Sequence, residues 1–184
     1  SAVIRSKTGL AGMAIESLVQ EFGGVDKPGV HKGVTAAVAL QPAKDCLDAE
    51  RLGRLPAPPT DAHDALLDVR RAMSQIASLR LMGKYAEGLA AAVANREKAV
   101  KAVAWQPLVA AALAQEGALL RDTGAFDEAE RASAEAYFAA AHIDAWDVGA
   151  EAATSLVHSV GVKQGRHAEG RAWARHAAVA VAHV

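Results

Sequence analysis

A six-residue motif recurs at a fixed spacing in the second half of this chain. Residues 83–88 (GKYAEG) align without gaps with residues 124–129 (GAFDEA), which lie 41 positions later. Another 41 positions on stand residues 165–170 (GRHAEG). Self-similarity at a fixed period is the signature of stacked structural repeats, each of which buries one face on its neighbour. This repeat restricts the fold more than any other feature of the chain.

Each position of the motif has a physical role in a helix–turn–helix unit. The glycine ends the first helix in a left-handed conformation that costs it little. The ring two residues later is expected to fill the space between the two helices. The glutamate that follows lies in the first turn of the second helix, where the helix dipole favours a negative charge. A small residue then lets the two backbones approach closely. The glycines are Gly83, Gly124 and Gly165, the rings Tyr85, Phe126 and His167, and the small residues Gly88, Ala129 and Gly170.

The flanking sequence and the composition both favour helices. Hydrophobic residues make up 52% of the chain but aromatics only 4%, so alanine, the best helix former, supplies much of the apolar content. Apolar residues before each turn glycine fall mostly at three- and four-residue steps. We therefore predict an all-α fold, an α-solenoid of antiparallel helix pairs, with repeats at about 61–104, 105–145 and 146–184. The second helices are expected at about 85–103, 126–142 and 167–183.

The N-terminal third lacks the repeat. Residues 1–51 are predicted to form a helical pair and a turn, with one helix ending at residues 23–24 and another at about 28–40. The lone Cys46 lies in the turn, where a buried small side chain is favoured over a reactive thiol. Residues 52–60 contain the run PAPP and are predicted to be an extended, fairly stiff linker.

The repeat resembles the tetratricopeptide repeat family. Gly117 matches the small residue of that family's first helix, and the turn glycines, Tyr85, Phe126 and the small residues of the second helix match in the same order. The 41-residue period is longer than the family's usual 34. In the third repeat, His167 stands where the family has an aromatic residue. Ile76 and His158 stand where Gly117 stands in the second repeat. The resemblance implies a helical module that binds a protein or peptide.

The whole arrangement is similar to a second, narrower group. A helical pair, the Asp45-Cys46-Leu47 segment, a Pro-Pro linker and long repeats resemble the C-terminal region of large bacterial serine/threonine protein kinases, particularly of myxobacterial type. The kinase catalytic motifs are absent from the sequence, so we expect a non-catalytic scaffolding or sensor region of a longer protein. The alternative is a ligand-sensing region of a transcriptional regulator or signalling ATPase. A helical pattern that runs to the last residue without a cap also suggests a piece of a longer chain and allows self-association.

Charge and histidine spacing argue against other classes. Lys and Arg total 20 against 21 Asp and Glu, so nothing favours nucleic acid as the partner. No apolar run approaches the roughly 20 residues of a membrane span, and a cytoplasmic location is the default expectation. Five histidines follow residue 140, but none pairs with another at metal-binding spacing, so neither a metal nor another cofactor is expected. They are His142, His158, His167, His176 and His183.

Three cations are the candidate binding residues. The family resemblance places Arg80, Arg121 and Lys163 near the concave surface formed by the first helices. Such a row would bind an acidic peptide or a carboxylate through charge-assisted hydrogen bonds. The competing explanation is that each cation complements the dipole at the C-terminal end of its helix. The sequence leaves both explanations open.

Overall fold

The computed structural model describes residues 55–184, together with Glu16 and Val19, which both lie in a helix. The predicted N-terminal helical pair (residues 1–51) with its Cys46 turn, and linker residues 52–54, otherwise lie outside the described residues.

Three helical hairpins follow one another between residues 63 and 182, and no strand occurs in the described stretch 55–184. The predicted all-α class is therefore confirmed for this stretch. The helices are α1 His63–Leu81 and α2 Tyr85–Lys98, α3 Gln106–Thr123 and α4 Phe126–His142, and α5 Trp146–Leu156 and α6 His167–Ala182. π-helical turns prolong α2 through Ala99–Val103 and α5 through Val157–Lys163.

The hairpins share an alanine-rich interior made of several buried clusters. Large residues such as Leu119 and Leu156 are fully buried among many alanines. One cluster joins the first two hairpins through Leu66, Val69, Ala99, Val103, Leu108 and Ala112. Another joins the last two through Leu113, Ala114, Ala132, Ala136, Tyr137, Ala152, Ala153 and Ala180. In this part of the chain no helix is both long and apolar enough to cross a membrane.

The hairpin turns are built as the sequence predicts. Gly83, Gly124 and Gly165 have φ angles of 79°, 89° and 70°, the left-handed region that glycine enters most readily. An acidic residue lies in the first turn of α2, α4 and α6. The turns between hairpins instead place Ala104 (φ 50°) and Asp144 (φ 57°) in the left-handed region. Asp144 is held there by accepting a hydrogen bond from Trp146 Nε1 at 3.1 Å.

Small residues let the two helices of a hairpin approach closely, as predicted. A Cβ atom on Gly117 would lie 2.5 Å from Ser133 Oγ. One on Gly88 would lie 3.6 Å from Leu79 Cβ within its hairpin, and 3.2 Å from Leu119 Cδ2 of the next hairpin. In the third hairpin a Cβ atom on Gly170 would collide with the Cα of Gly161. The π-helical continuation of α5 and the start of α6 are therefore in direct backbone contact at these two glycines.

The ring after the turn glycine does not act as a buried plug. Tyr85 is 40% exposed, Phe126 is half-buried and His167 is exposed. Each ring is the first residue of its helix, at the end of the hairpin, where it is open to water. His167 instead donates from Nδ1 to the carbonyl of Gly161 at 2.9 Å, which fastens the turn to the end of α5.

A π-helical turn changes the register of the third hairpin. Ile76 and Gly117 face the interior, but His158, which lies 41 positions after Gly117, is exposed and Ser159 is fully buried in its place. A π-helical turn bonds residue i to i+5 and so holds more residues per turn than an α-helix. Side chains within Val157–Lys163 are consequently rotated from the positions that the repeat predicts.

Linker residues 55 and 56 lie against the repeats. The carbonyl of Pro56 accepts a hydrogen bond from Trp105 Nε1 at 3.2 Å, and the Arg70 guanidinium lies 5.5 Å from the centre of the Trp105 ring. Leu55 packs beside Ala110 and Ala140 of the second hairpin. This end of the predicted linker is therefore anchored to the second hairpin.

Candidate partner-binding surface

The first helices of the three hairpins lie side by side. α3 packs against both α1 and α5, and Gln115 Nε2 donates to the carbonyl of Met73 at 2.9 Å. The second helices α4 and α6 meet through their aromatic side chains, for example Tyr137 and Trp173 at 5.6 Å between ring centres. The first helices therefore form one side of the stack of hairpins.

The three candidate cations occupy equivalent places on these helices. Arg80 lies in the last turn of α1, Arg121 in the last turn of α3, and Lys163 ends the π-helical continuation of α5. All three therefore lie at the C-terminal end of a first helix, where positive charge is favoured by the helix dipole.

Asp122 bridges the first two members of the row. Its carboxylate accepts from Arg80 Nε at 2.6 Å and from Arg121 Nη2 at 2.7 Å. The side chains of Asp122 and Arg121 are only 18% and 15% exposed, so this bridge is partly shielded from water. The two arginines are consequently bound to an internal acid that the sequence reading did not single out. The bridge fastens α1 to α3.

Arg121 also contacts the first of three buried serine side chains that lie next to one another. Its Nη1 lies 3.5 Å from Ser155 Oγ, which lies 3.4 Å from Ser133 Oγ. Ser159 Oγ donates to the carbonyl of Ser155 at 3.0 Å. The three serines are nearly or fully buried. These contacts join α3, α4 and α5 behind the cationic surface and fix the position of Arg121.

Lys163 differs from the two arginines because its side chain is exposed and forms no ion pair within residues 55–184. The neighbouring Arg166 ties α4 to α6: it pairs with Glu130 at 2.5 Å and with Glu169. Hydrogen bonds to Glu169 and Glu130 raise the pKa of Arg166 above its ordinary value, and the same contact lowers the pKa of Glu169. Lys163 therefore lies three residues before an arginine that links α4 to α6.

Comparison of the chain with protein-family models, with curated proteins and with solved structures finds no match. The first-helix surface is therefore interpreted from its own residues.

Three of the histidines, His167, His176 and His183, have structural partners. His176 Nδ1 lies 3.0 Å from the Tyr137 hydroxyl, and the His183 ring stacks on Trp146 with 4.7 Å between centres. Within residues 55–184 no group of three or more His, Cys, Asp or Glu side chains is arranged to hold a metal ion.

Replacing Asp122 with asparagine tests the bridge. The change keeps the size of the side chain but removes the charge shared by two arginines, so the free energy of unfolding should fall by about 1–2 kcal/mol. Urea unfolding followed by circular dichroism measures this value, and the exposed Asp64→Asn is the matched control. In a double-mutant cycle with Arg80→Ala, the two changes should not be additive. A loss no greater than that of the control would contradict the bridge.

Proposed function

We propose that this chain is a non-catalytic interaction module that binds a protein or peptide along its first-helix surface. The observation that carries the proposal is the side-by-side packing of α1, α3 and α5, with Arg80, Arg121 and Lys163 at matching ends. A stack of hairpins offers a preformed surface, so binding requires little ordering of the module itself. A tetratricopeptide-type solenoid with a concave groove is the form that we propose for the complete array.

An acidic segment is the partner chemistry that this surface favours. Lys163 is exposed, and Arg80 keeps about a third of its side chain in water while it pairs with Asp122. A carboxylate from a partner would extend the existing alternation of arginine and aspartate by charge-assisted hydrogen bonds. Asp122 then has two effects: it positions both guanidinium groups, and it competes with the partner for them.

We further propose that the module is the scaffolding or sensor region of a bacterial serine/threonine protein kinase. The order of segments in the sequence supports this proposal. Sequencing of the flanking coding region tests it directly: a kinase domain in the same reading frame is expected, and a regulator or ATPase domain there would overturn it.

Calorimetric titration with a short glutamate-rich peptide tests the binding surface. Lys163→Ala and Arg121→Ala should each weaken binding about three- to tenfold, and added salt should weaken it further. Asp122→Asn should strengthen binding several-fold, because it frees two guanidinium groups that the acid now occupies. Arg131→Ala, whose side chain is 73% exposed on the second helix α4, is the matched control and should have no effect. Equal effects of all four changes would contradict the assignment of this surface.

A further inference from the structure

One face of α6 is exposed although the equivalent face of α4 is buried. Ala174, Ala178 and Val181 lie 41 positions after Ser133, Tyr137 and Ala140. The three α4 residues are 0%, 5% and 0% exposed, whereas Val181 is 61% exposed and both alanines are exposed.

The α4 face is covered partly by α3 and otherwise by both helices of the next hairpin. Tyr137 contacts Trp173 and His176 of α6, and α5 contacts the rest of the face. Ser133 Oγ lies 3.4 Å from Ser155 Oγ on α5, and Tyr137 packs in one cluster with Ala152 and Ala153. A Cβ atom built on Gly149 of α5 would lie 3.9 Å from Ala140 Cβ. One of the elements that cover this face is therefore α5, a helix that runs antiparallel to α4 and presents small side chains.

The charge beside the exposed face is reversed relative to α4. Glu130 of α4 pairs with Arg166, which lies just beyond the C-terminal end of the covering helix. The residue 41 positions after Glu130 is Arg171, which is exposed, and Arg175 lies one turn further on the same side. A helix that covers α6 as α5 covers α4 would therefore match Arg171 with an acidic residue near its own C-terminal end.

A second copy of this chain does not supply that chemistry. Two α6 faces brought together would gather four arginines, and the acid of the first turn, Glu169, is already paired with Arg166. The outer side of α1 in a second copy also lacks the small apolar and acidic side chains that would fit the α6 face. Where α3 presents Ala112 and Glu116 to the first hairpin, α1 has Arg71 and Gln75, which are both exposed.

We propose that the α6 face, formed by Ala174, Ala178 and Val181 and edged by Arg171 and Arg175, docks an amphipathic helix of a partner protein. The helix lies antiparallel to α6, buries small apolar side chains, and carries a carboxylate near its C-terminal end that pairs with Arg171. This docking site is separate from the cationic first-helix surface and does not depend on it.

A helix taken from the chain itself provides the probe. A labelled peptide of residues 146–166 carrying Arg166→Glu supplies both the small-residue face and the acid, and the parent peptide with Arg166 is its matched control. Fluorescence anisotropy should show that the 184-residue chain binds the acidic peptide about tenfold more tightly than the parent.

Two variants of the chain decide the assignment. Ala178→Glu should abolish binding of the acidic peptide, and Arg171→Glu should reverse the preference so that the parent peptide binds more tightly. Both residues are exposed, so unchanged thermal unfolding is expected and confirms that each variant is folded. Peptide binding that neither variant alters would place the peptide on α4 and overturn the proposal, as would the absence of binding.

Sedimentation of the chain alone completes the test. A monomer over the concentration range of the titration is expected. A dimer that Ala178→Glu dissociates would overturn the proposal in favour of self-association through α6. Loss of glutamate-rich peptide binding in Lys163→Ala leaves this site unaffected, so the two surfaces are tested independently.

Discussion

Replacing Gly170 with alanine is expected to lower the free energy of unfolding by about 1–3 kcal/mol, although alanine is the better helix former. The added Cβ atom would collide with the Cα of Gly161, and a Cβ atom on Gly161 would lie 2.9 Å from the Cα of Gly170. Both obstacles are backbone atoms, so no change of rotamer relieves the clash. The helices α5 and α6 must separate, which weakens the packing of the whole third hairpin.

Gly149→Ala is the matched control because it makes the same chemical change on α5 where space exists. A Cβ atom there would have its nearest neighbours at 3.9 Å, which is ordinary contact. Its effect should have the opposite sign, a stabilisation of about 0.5–1 kcal/mol from the lower backbone entropy of the unfolded chain. Urea unfolding of both variants measures the difference. A stabilising Gly170→Ala would show that the two backbones are further apart than described.

Leu119→Ala is expected to lower the free energy of unfolding by about 2–5 kcal/mol. Leu119 is fully buried and packs with Ile76 and Ala92, so it joins the second hairpin to both helices of the first. The cavity cannot close easily, because α1 and α3 are already held together by the bridge at Asp122.

Val179→Ala, at a position that is 52% exposed on α6, should change stability by less than about 0.5 kcal/mol and is the control. Because two buried clusters join the first and second hairpins, these hairpins should unfold together in the Leu119→Ala variant. Hydrogen exchange of α2 and α4 amides checks this expectation. Loss of protection in α4 alone would mean that the hairpins are independent units.

The features that sequence predicts well are local ones. Gly124 ends α3 and Glu128 begins α4 for reasons contained within a few residues: a left-handed turn and a helix dipole. The residues that make up each hairpin follow from the same spacing, and α4 begins and ends where the repeat places it, at Phe126 and His142. These elements need no knowledge of what packs on them.

The features that sequence misses depend on neighbouring helices. Asp122 reaches Arg80 across 42 positions only because α1 and α3 lie side by side, and nothing beside Asp122 in the sequence marks that contact. No sequence pattern marks the π-helical turn that exposes His158 and buries Ser159. A prediction from repeat spacing assumes that each helix has the same number of residues per turn. The π-helical turn in the third hairpin breaks this assumption, so residues at equivalent positions face different ways.

The anchoring of Leu55 and Pro56 has a mechanical consequence. Force applied to the chain at residue 55 does not peel α1 from the end of the array. It must first break the hydrogen bond from Trp105 and the packing of Leu55 on the second hairpin, so the load reaches the second hairpin before it reaches α1. The chain is thus attached at the second hairpin, which packs against the first hairpin on one side and the third on the other.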